Sequence, residues 1–284
     1  MTQYDQIKAR IRKGYNDLPK NQRKIADFIV ENLEQVPFLT VQQMAKATGA
    51  SVASVVRFAQ RNGFEGFTEL QQEIGASLQD RLKQPDVFAL PSGDSMPNDV
   101  LTSIAQQELK NINGTMRMNR REVFDRAVRH IVKARHVHTA GLGISFLLAE
   151  VLSYQLNQVG IPATALRQGS ATFAEQVLYF HPDDVFIVLS FQPYSPETIE
   201  AARIAKEKGV KVIAITNKEN APATFHSVAS LLVKSENVLY TNSFAAISVL
   251  INALSTKCAL QNKKRAEAML SELDLITQRT TIPH

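Results

Sequence analysis

Cysteine is almost absent. Cys258 stands alone in 284 residues, so no disulfide can close within the chain, and the composition suits a reducing compartment. Cys258 falls in the apolar run from Ala245 to Leu260, where a buried small hydrophobe is expected rather than a reactive thiol. Long apolar runs are missing too. No stretch approaches the roughly 20 apolar residues of a membrane span. The opening, MTQYDQIKARIRKGYNDL, is polar and basic and lacks the apolar centre of a signal peptide. A cytoplasmic protein without a membrane segment is expected. Charge of one sign is in small excess: the formal net charge of +5 is common among enzymes and among nucleic-acid binders alike. With 44% hydrophobic and 21% charged residues, the chain has what a folded core needs and is not of disordered composition.

The positions of the charges say more than their sum. Lys8, Arg10, Arg12, Lys13, Lys20, Arg23 and Lys24 face only Asp5 and Asp17 in the same region, and a second basic run holds Arg117, Arg120, Arg121, Arg126, Arg129, Lys133 and Arg135. Each run suits phosphates or a solvated helix face; for the second, the solvated face is the stronger reading.

Helical periodicity dominates the first 75 residues or so. Ile25, Phe28, Ile29 and Leu33 mark one helix, which Pro37 should break. Thr40 is an N-cap for the next, with Val41, Met44 and Ala45 on one face and Gly49 at its end. Ser51 caps a third, with Val52, Val55, Val56 and Ala59 apolar and Gly63 closing it; a last helix runs from about Phe67 to Leu82. Pro85, Pro91, Ser92, Gly93, Asp94, Ser95 and Pro97 then make residues 83–98 a linker. Beyond Asp99, a helical stretch gives way to strands at 136–140, 163–166, 185–190, 210–216 and 229–234. Helices are expected between them at 144–159, 171–179 and 196–208, and from about Asn242 onward. Such alternation implies a parallel sheet covered on both faces. The expected organisation is an all-α domain at 1–82, a linker at 83–98, and an α/β domain at 99–284.

The segment TVQQMAKATG followed by SVASVVRFAQRNGF has the layout of a helix-turn-helix, with a tight turn through Thr48, Gly49 and Ala50. Its second helix leaves Ala53, Ser54, Arg57, Gln60 and Arg61 available at the surface. Arginine there can donate two hydrogen bonds to one guanine in the major groove. The hydroxyls of Thr40 and Ser51, beside helix-start amides, suit phosphate contacts. A plain helical bundle or a dimerisation module shares this layout.

In the second half, AGLGISFLLAE places Gly141, Gly143 and Ser145 on a strand-to-helix turn. Glycine lets the backbone approach a ligand, and the helix start favours an anion. The third glycine of the dinucleotide fingerprint is lacking. No acidic residue ends the next strand, where Leu166, Arg167 and Gln168 stand, so NAD is disfavoured. The next turn of this kind, SFQPYSPET, holds the hydroxyls of Ser190, Tyr194, Ser195 and Thr198. Two hydroxyl-rich loops at strand ends suit a phosphate plus sugar hydroxyls, or simple helix capping. Thr216 and Asn217 end another strand, where an ordinary turn explains them equally well.

At these motifs the chain resembles a known family. TVQQMAKATGASVASVVRFAQRNGFEGFTEL, with its trailing GF-x-GF-x-EL, resembles the N-terminal domain of RpiR-family bacterial regulators. AGLGIS, LSFQPYSPET and VIAITN resemble the strand-end motifs of the sugar isomerase (SIS) domain that follows it. The resemblance implies a helix-turn-helix domain ahead of an α/β SIS-like domain. It implies a transcriptional regulator of carbohydrate metabolism, not an enzyme, acting on a double-stranded DNA operator with repeated half-sites. A sugar phosphate or related metabolite is the implied effector, and a homodimer or dimer of dimers the implied assembly. Ligand serines carry over onto Ser145 and Ser190, and a threonine onto Thr198. Many SIS loops read Ser-x-Ser-Gly; here Gln192-Pro193 occupy the second Ser and Gly, and Tyr194-Ser195 follow. A different sugar phosphate, or an acid whose carboxylate replaces the phosphate, fits that departure. No metal and no cofactor is expected. The alternative is an aldose–ketose isomerase, which needs a base near the sugar carbons; Glu175, His181, Glu197, His226 and Glu236 are the residues to examine. A purely structural dimerisation module is the third reading.

Overall fold

The computed structural model describes residues 3–15, 18–82, 99–237 and 242–280. The chain divides into two compact units, Met1–Leu90 and Pro91–His284. The stretch expected as a linker, 83–98, lies outside the described residues.

The first unit is all helical: α1 (Gln3–Lys13), α2 (Lys20–Glu31), α3 (Val41–Thr48), α4 (Val52–Arg61) and α5 (Phe67–Leu82). Helix α2 stops well short of Pro37. Asn32 ends it, accepting no further turn: both its main-chain N–H and its side-chain amide donate to the Phe28 carbonyl, at 2.9 and 3.0 Å. Asparagine offers the backbone a local alternative to helix, so Leu33, expected on this helix, packs from the connection instead. Pro37 sits in a 3-10 turn, Val36–Phe38. Gln71 of α5 reaches back to that turn, donating to the carbonyls of Pro37 (3.3 Å) and Leu39 (2.6 Å). Ile25, Ile29, Leu39, Met44, Val55, Phe58, Leu70 and Ile74 form the buried interior.

The second unit is built on a five-stranded parallel sheet in the order β2-β1-β3-β4-β5. Its elements are α6 (Val100–Met118), α7 (Arg121–Lys133), β1 (Val137–Ala140), α8 (Ile144–Gln158), β2 (Ala163–Ala165), α9 (Phe173–Val177) and β3 (Val185–Leu189). There follow α10 (Pro196–Glu207), β4 (Lys211–Thr216), β5 (Ala229–Leu232), α11 (Ala245–Gln261) and α12 (Lys263–Thr280). Strand β3 shows why both faces are covered. Val185, Ile187 and Leu189 enter one apolar layer with α7, α8 and α11. Phe186 and Val188 enter the other with α9 and α10. A strand buried on both sides reads as a continuous apolar run. Helix α9 is shorter than the sequence suggests, because Thr172 caps it through a reciprocal box with Glu175. Cys258 is buried in the first layer, and burial pushes its thiol up to about 12, as a structural hydrophobe requires.

Strand order decides where a ligand can enter. The chain turns one way from β1 to β2, then crosses back over β1 to β3 and continues the other way to β4 and β5, so the connections leaving β1 and β3 part company at the carboxyl edge. Such a switch point opens a crevice outside the strand ends.

Candidate functional site

Helices α3 and α4 form the helix-turn-helix. Thr40 caps α3 in a capping box: its hydroxyl accepts from Gln43 N (3.2 Å), and Gln43 Oε1 accepts from Thr40 N (2.7 Å). Gly49 ends α3 at φ +62°, and the Ala50 N–H closes the turn onto the Ala45 carbonyl at 3.0 Å. A left-handed residue is needed there, and glycine adopts it without strain. Ser51 then caps α4, accepting from Ser54 N at 3.2 Å, with the two hydroxyls 2.9 Å apart.

Helix α4 buries Val55, Phe58 and Ala59. This corrects the expected face: Val52 is 41% exposed and Val56 only half-buried. Phe58 has the most apolar area to remove from water, and the helix turns to seat it. The rotation leaves Ser51, Ala53, Arg57, Gln60 and Arg61 exposed, with Ser54 half-buried, and Thr40 at the start of α3 is exposed as well. Gln60 is partly engaged, donating to the Glu65 carbonyl at 3.3 Å.

The basic runs divide on inspection. Arg10 stacks over Phe64 at 4.7 Å, with its guanidinium against Gly63. Arg23 donates to the Leu18 carbonyl at 2.9 Å. Arg135 makes a two-pronged pair with buried Asp184, at 2.9 and 3.1 Å, and Arg126 donates to the Val228 carbonyl at 3.3 Å. Arg121 pairs with Asp125 at 3.9 Å. Arg10, Arg23, Arg126 and Arg135 thus have partners within the fold and Arg121 only a solvent-exposed pair, while Arg12, Lys13, Lys20 and Lys24 lie exposed.

At the carboxyl edge of the sheet, the connections after β1 and β3 come together as the strand order requires. Gly141 is buried under the start of α8. A Cβ there would lie 2.7 Å from the backbone and Cβ of Ser145, so only glycine fits. Gly143 has φ +58° and ψ −129°, a conformation left to glycine. Ser145 lies in the first turn of α8, 8% exposed. Ser190 ends β3, its N–H donating to the Ile215 carbonyl of β4 at 3.0 Å. Ser195 caps α10, its hydroxyl accepting from Thr198 N at 3.3 Å. Tyr194 is buried, and its hydroxyl donates to Asn217 Oδ1 at 3.1 Å.

Three hydroxyls stand out. Ser190, Thr198 and Thr216 are 3%, 1% and 0% exposed, and their oxygens make no hydrogen bond among the described residues. Leaving a buried hydroxyl unpaired costs about 1–3 kcal/mol, and here three converge on the ends of β3 and β4 and the first turn of α10. For Thr216 the sequence leaves an ordinary turn as an equally good reading; only the pairing of β3 with β4 sets it beside Ser190. Asn217 and Gln192 were likewise missed as partners. Asn217 Nδ2 donates to Gln192 Oε1 at 3.2 Å, and the Gln192–Pro193 peptide is cis. Gln192, which stands where the Ser-x-Ser-Gly pattern has its second serine, thus joins the β3 and β4 connections through Asn217. A separate cavity of about 390 Å3, with Asn119, Arg126, Ser227 and Ser230 in its lining, opens beside β5 and shares none of these hydroxyls.

Of the residues named as isomerase bases, Glu175, Glu197, His181 and Glu236 have partners and His226 is buried. Glu175 accepts from Thr172 N and Oγ1, at 2.7 and 2.8 Å, which holds its carboxyl below the usual range. Glu197 accepts from Gln168 Nε2 (2.6 Å) and Phe173 N (3.0 Å). His181 precedes β3, at the amino edge of the sheet, and is 3.5 Å from Asp183. His226 is buried behind α10, and that burial lowers its pKa, as do Lys206 and Arg203. Glu236 pairs with Lys234 at 3.3 Å.

Residues 5–81 match the helix-turn-helix domain of the rpiR family, and residues 130–257 match the SIS domain. The HTH-type transcriptional regulator YfhH of Escherichia coli (strain K12) is 30% identical over 212 residues, covering 73% of this chain and 74% of YfhH. The chain belongs to the RpiR family of HTH-type transcriptional regulators. As such it is a DNA-binding transcriptional regulator with a SIS domain behind its helix-turn-helix. The sugar isomerase domain of an RpiR transcription factor from Sphaerobacter thermophilus is 28% identical. It superposes with a TM-score of 0.59 over 61% of this chain and 97% of that one. The Vibrio vulnificus NanR protein, complexed with ManNAc-6P, shares the fold over 98% of this RpiR-family chain and 100% of its own, with a TM-score of 0.66 at 21% identity. Among the described residues no helix is long and apolar enough to cross a membrane.

Proposed function

We propose that this regulator responds to a sugar phosphate held between the connections after β1 and β3. The observation that carries the proposal is the trio of buried, unpaired hydroxyls on Ser190, Thr198 and Thr216. With Ser145 and the main chain of Gly141 and Gly143, they form a neutral donor set of the kind that receives phosphate oxygens. Tyr194 and Ser195 shape that set, the first through Asn217 and the second by capping α10. A structural neighbour that holds ManNAc-6P supports the same ligand class.

In this reading residues 1–82 are the DNA-binding domain, 83–98 the linker and 99–284 the sensor. Arg57, Gln60 and Arg61 read base edges with Ala53 beside them, and Thr40, Ser51 and Ser54 meet phosphates at the helix starts. A cytoplasmic homodimer, or dimer of dimers, presents two recognition helices to an operator with two half-sites. The sugar phosphate is bound and not turned over, in keeping with the hydrogen bonds that engage Glu175 and Glu197 within the fold.

The test is a melting series with hexose 6-phosphates, N-acetylhexosamine 6-phosphates and sugar acids, followed by anisotropy on the protein's own promoter fragment. At least one compound should raise Tm and change operator affinity by about 5- to 150-fold. Turnover of any of these sugars, or no melting response to all of them, sinks the effector reading. Absence of specific DNA binding sinks the operator reading.

A further inference from the structure

Helix α6 is held to its unit in an unusual way. Its two buried residues, Asn111 and Thr115, are both polar. Leu101, Leu109 and Met116 face outward, at 81%, 60% and 69% exposure, and Ile112 is half-buried against the core. Hydrogen bonds hold much of the rest. Asn111 Nδ2 donates to the Glu236 carbonyl at 2.8 Å and to Glu108 Oε2 at 3.3 Å. Thr115 Oγ1 accepts from Lys234 N at 3.0 Å. Asn119, just past the helix, brackets Leu232 by donating to its carbonyl (2.6 Å) and accepting from its N–H (2.9 Å). The partners outside the helix, Leu232, Lys234 and Glu236, lie in or just after β5.

The same stretch grips the proposed effector loop from its other end. Asn242 Nδ2 donates to the Gln192 carbonyl at 2.9 Å, inside the connection that follows Ser190. Ser235 Oγ donates to Asn242 Oδ1 at 2.8 Å, and Ser243 N donates to the Ser235 carbonyl at 3.0 Å. Ser243, 2% exposed, donates its hydroxyl hydrogen bond to the Glu108 carboxylate of α6. A continuous polar chain therefore runs from Gln192 through Asn242, Ser235 and Ser243 to Glu108 and Asn111.

We infer that this chain couples the effector site to α6, the first described helix after the stretch that leads from the DNA-binding unit. The inference rests on the effector site proposed above. A phosphate pairing with Ser190 and Thr198 displaces the 190–195 connection, and the Gln192 carbonyl carries Asn242 with it. Hydrogen bonds are directional and weaken steeply once the angle at the hydrogen falls below about 120°, so the shift reaches Ser243 and re-sets its bond to Glu108. An apolar seam would absorb the same shift by sliding. Helix α6, which packs on α11 and is fastened to this stretch by such bonds, changes its seating, and operator affinity changes with it. Coupling of this kind is a difference in free energy between two seatings, and both sites bias it.

The test compares the full-length protein with its Ser243→Ala and Glu108→Gln variants. Neither residue belongs to the proposed ligand or DNA contacts, and circular dichroism establishes that each variant folds. The probes are glucose 6-phosphate, N-acetylmannosamine 6-phosphate and 6-phosphogluconate, read by melting shift and by anisotropy on the promoter fragment. The variants should bind the active probe and the DNA about as wild type does. A wild-type change in operator affinity of about tenfold should fall below about twofold, and the double variant should be no worse than either single one. If the variants respond as wild type, the coupling chain is wrong and the effector site stands. If they lose sugar-phosphate binding, these residues are part of the site and the coupling role is wrong. If wild type itself binds none of the three probes, the effector reading falls and takes this inference with it.

Discussion

Thr216 and Arg57 illustrate opposite ways for a side chain to be available. Thr216 is fully buried with a hydroxyl unpaired among the described residues, so its stability role and its proposed binding role conflict. Thr216→Val keeps the shape and removes the unpaired group. The ligand-free protein should gain up to about 1 kcal/mol, while sugar-phosphate affinity drops about tenfold. A loss of stability without a loss of affinity, seen by melting and calorimetry, would show that the hydroxyl has a partner inside the fold. Gly141 belongs to the same site for a steric reason. Gly141→Ala puts a methyl 2.7 Å from the Ser145 backbone, and overpacking of that kind costs about 1–3 kcal/mol. Chemical denaturation should register the cost along with weakened binding. Arg57, by contrast, is exposed and makes no ion pair among the described residues. Arg57→Ala should leave Tm unchanged and cost about 1–3 kcal/mol of operator binding. Arg10→Ala should do the reverse, because Arg10 packs on Phe64. Matching losses of DNA binding in the two variants would refute that division of labour.

Elements set the precision of both candidate sites. Helix α4 has ten residues, too few to be stable alone, and its first turn is organised by Ser51. Ser51→Ala removes the cap and should cost about 1 kcal/mol of stability of the first unit, measurable by urea titration; a neutral result would mean that α4 is held by Phe58 and its neighbours alone. The sequence marked the helix ends well where a cap or glycine stands, as at Thr40, Gly49 and Ser51. It failed for α2, because nothing local distinguishes an Asn32 that ends a helix from one that continues it. It also misassigned the buried face of α4, since Val52 and Phe58 are equivalent until the neighbouring helices choose between them.

Over the whole molecule, histidines set the acid limit. Burial lowers the pKa of His138 against the opposing pull of its 3.2 Å hydrogen bond to Asp184. Burial also lowers His136, His226 and His130, the last two helped by nearby lysines and arginines. Each folded value therefore lies below the unfolded value of about 6.5. Between the two, the unfolded chain binds more protons than the folded one. The contribution is complete above about pH 6.5 and is lost as pH falls toward the folded values. Asp184 acts at lower pH: burial pushes its carboxyl up, but Arg135, the His181 N–H and His138 together hold it below its usual value. Tm should accordingly fall between pH 7 and pH 5 and fall again below about pH 4. A flat or rising profile from pH 7 to 5 would contradict this assignment.

The sequence alone determined the two-part organisation, the parallel α/β architecture of the second part and the helix-turn-helix, because periodicity, caps and glycine turns are local properties. It also named Ser145, Ser190 and Thr198, since a hydroxyl beside a strand-to-helix turn is visible in one dimension. Tertiary structure decided what locality cannot: that β3 pairs with β4, bringing Thr216 and Asn217 to Ser190 and Gln192, that Arg10 and Arg135 are held within the fold, and that Glu108 of α6 meets Ser243 across 135 positions of chain. Those contacts join residues far apart in sequence, and only the packed sheet and its helices bring them within hydrogen-bonding distance.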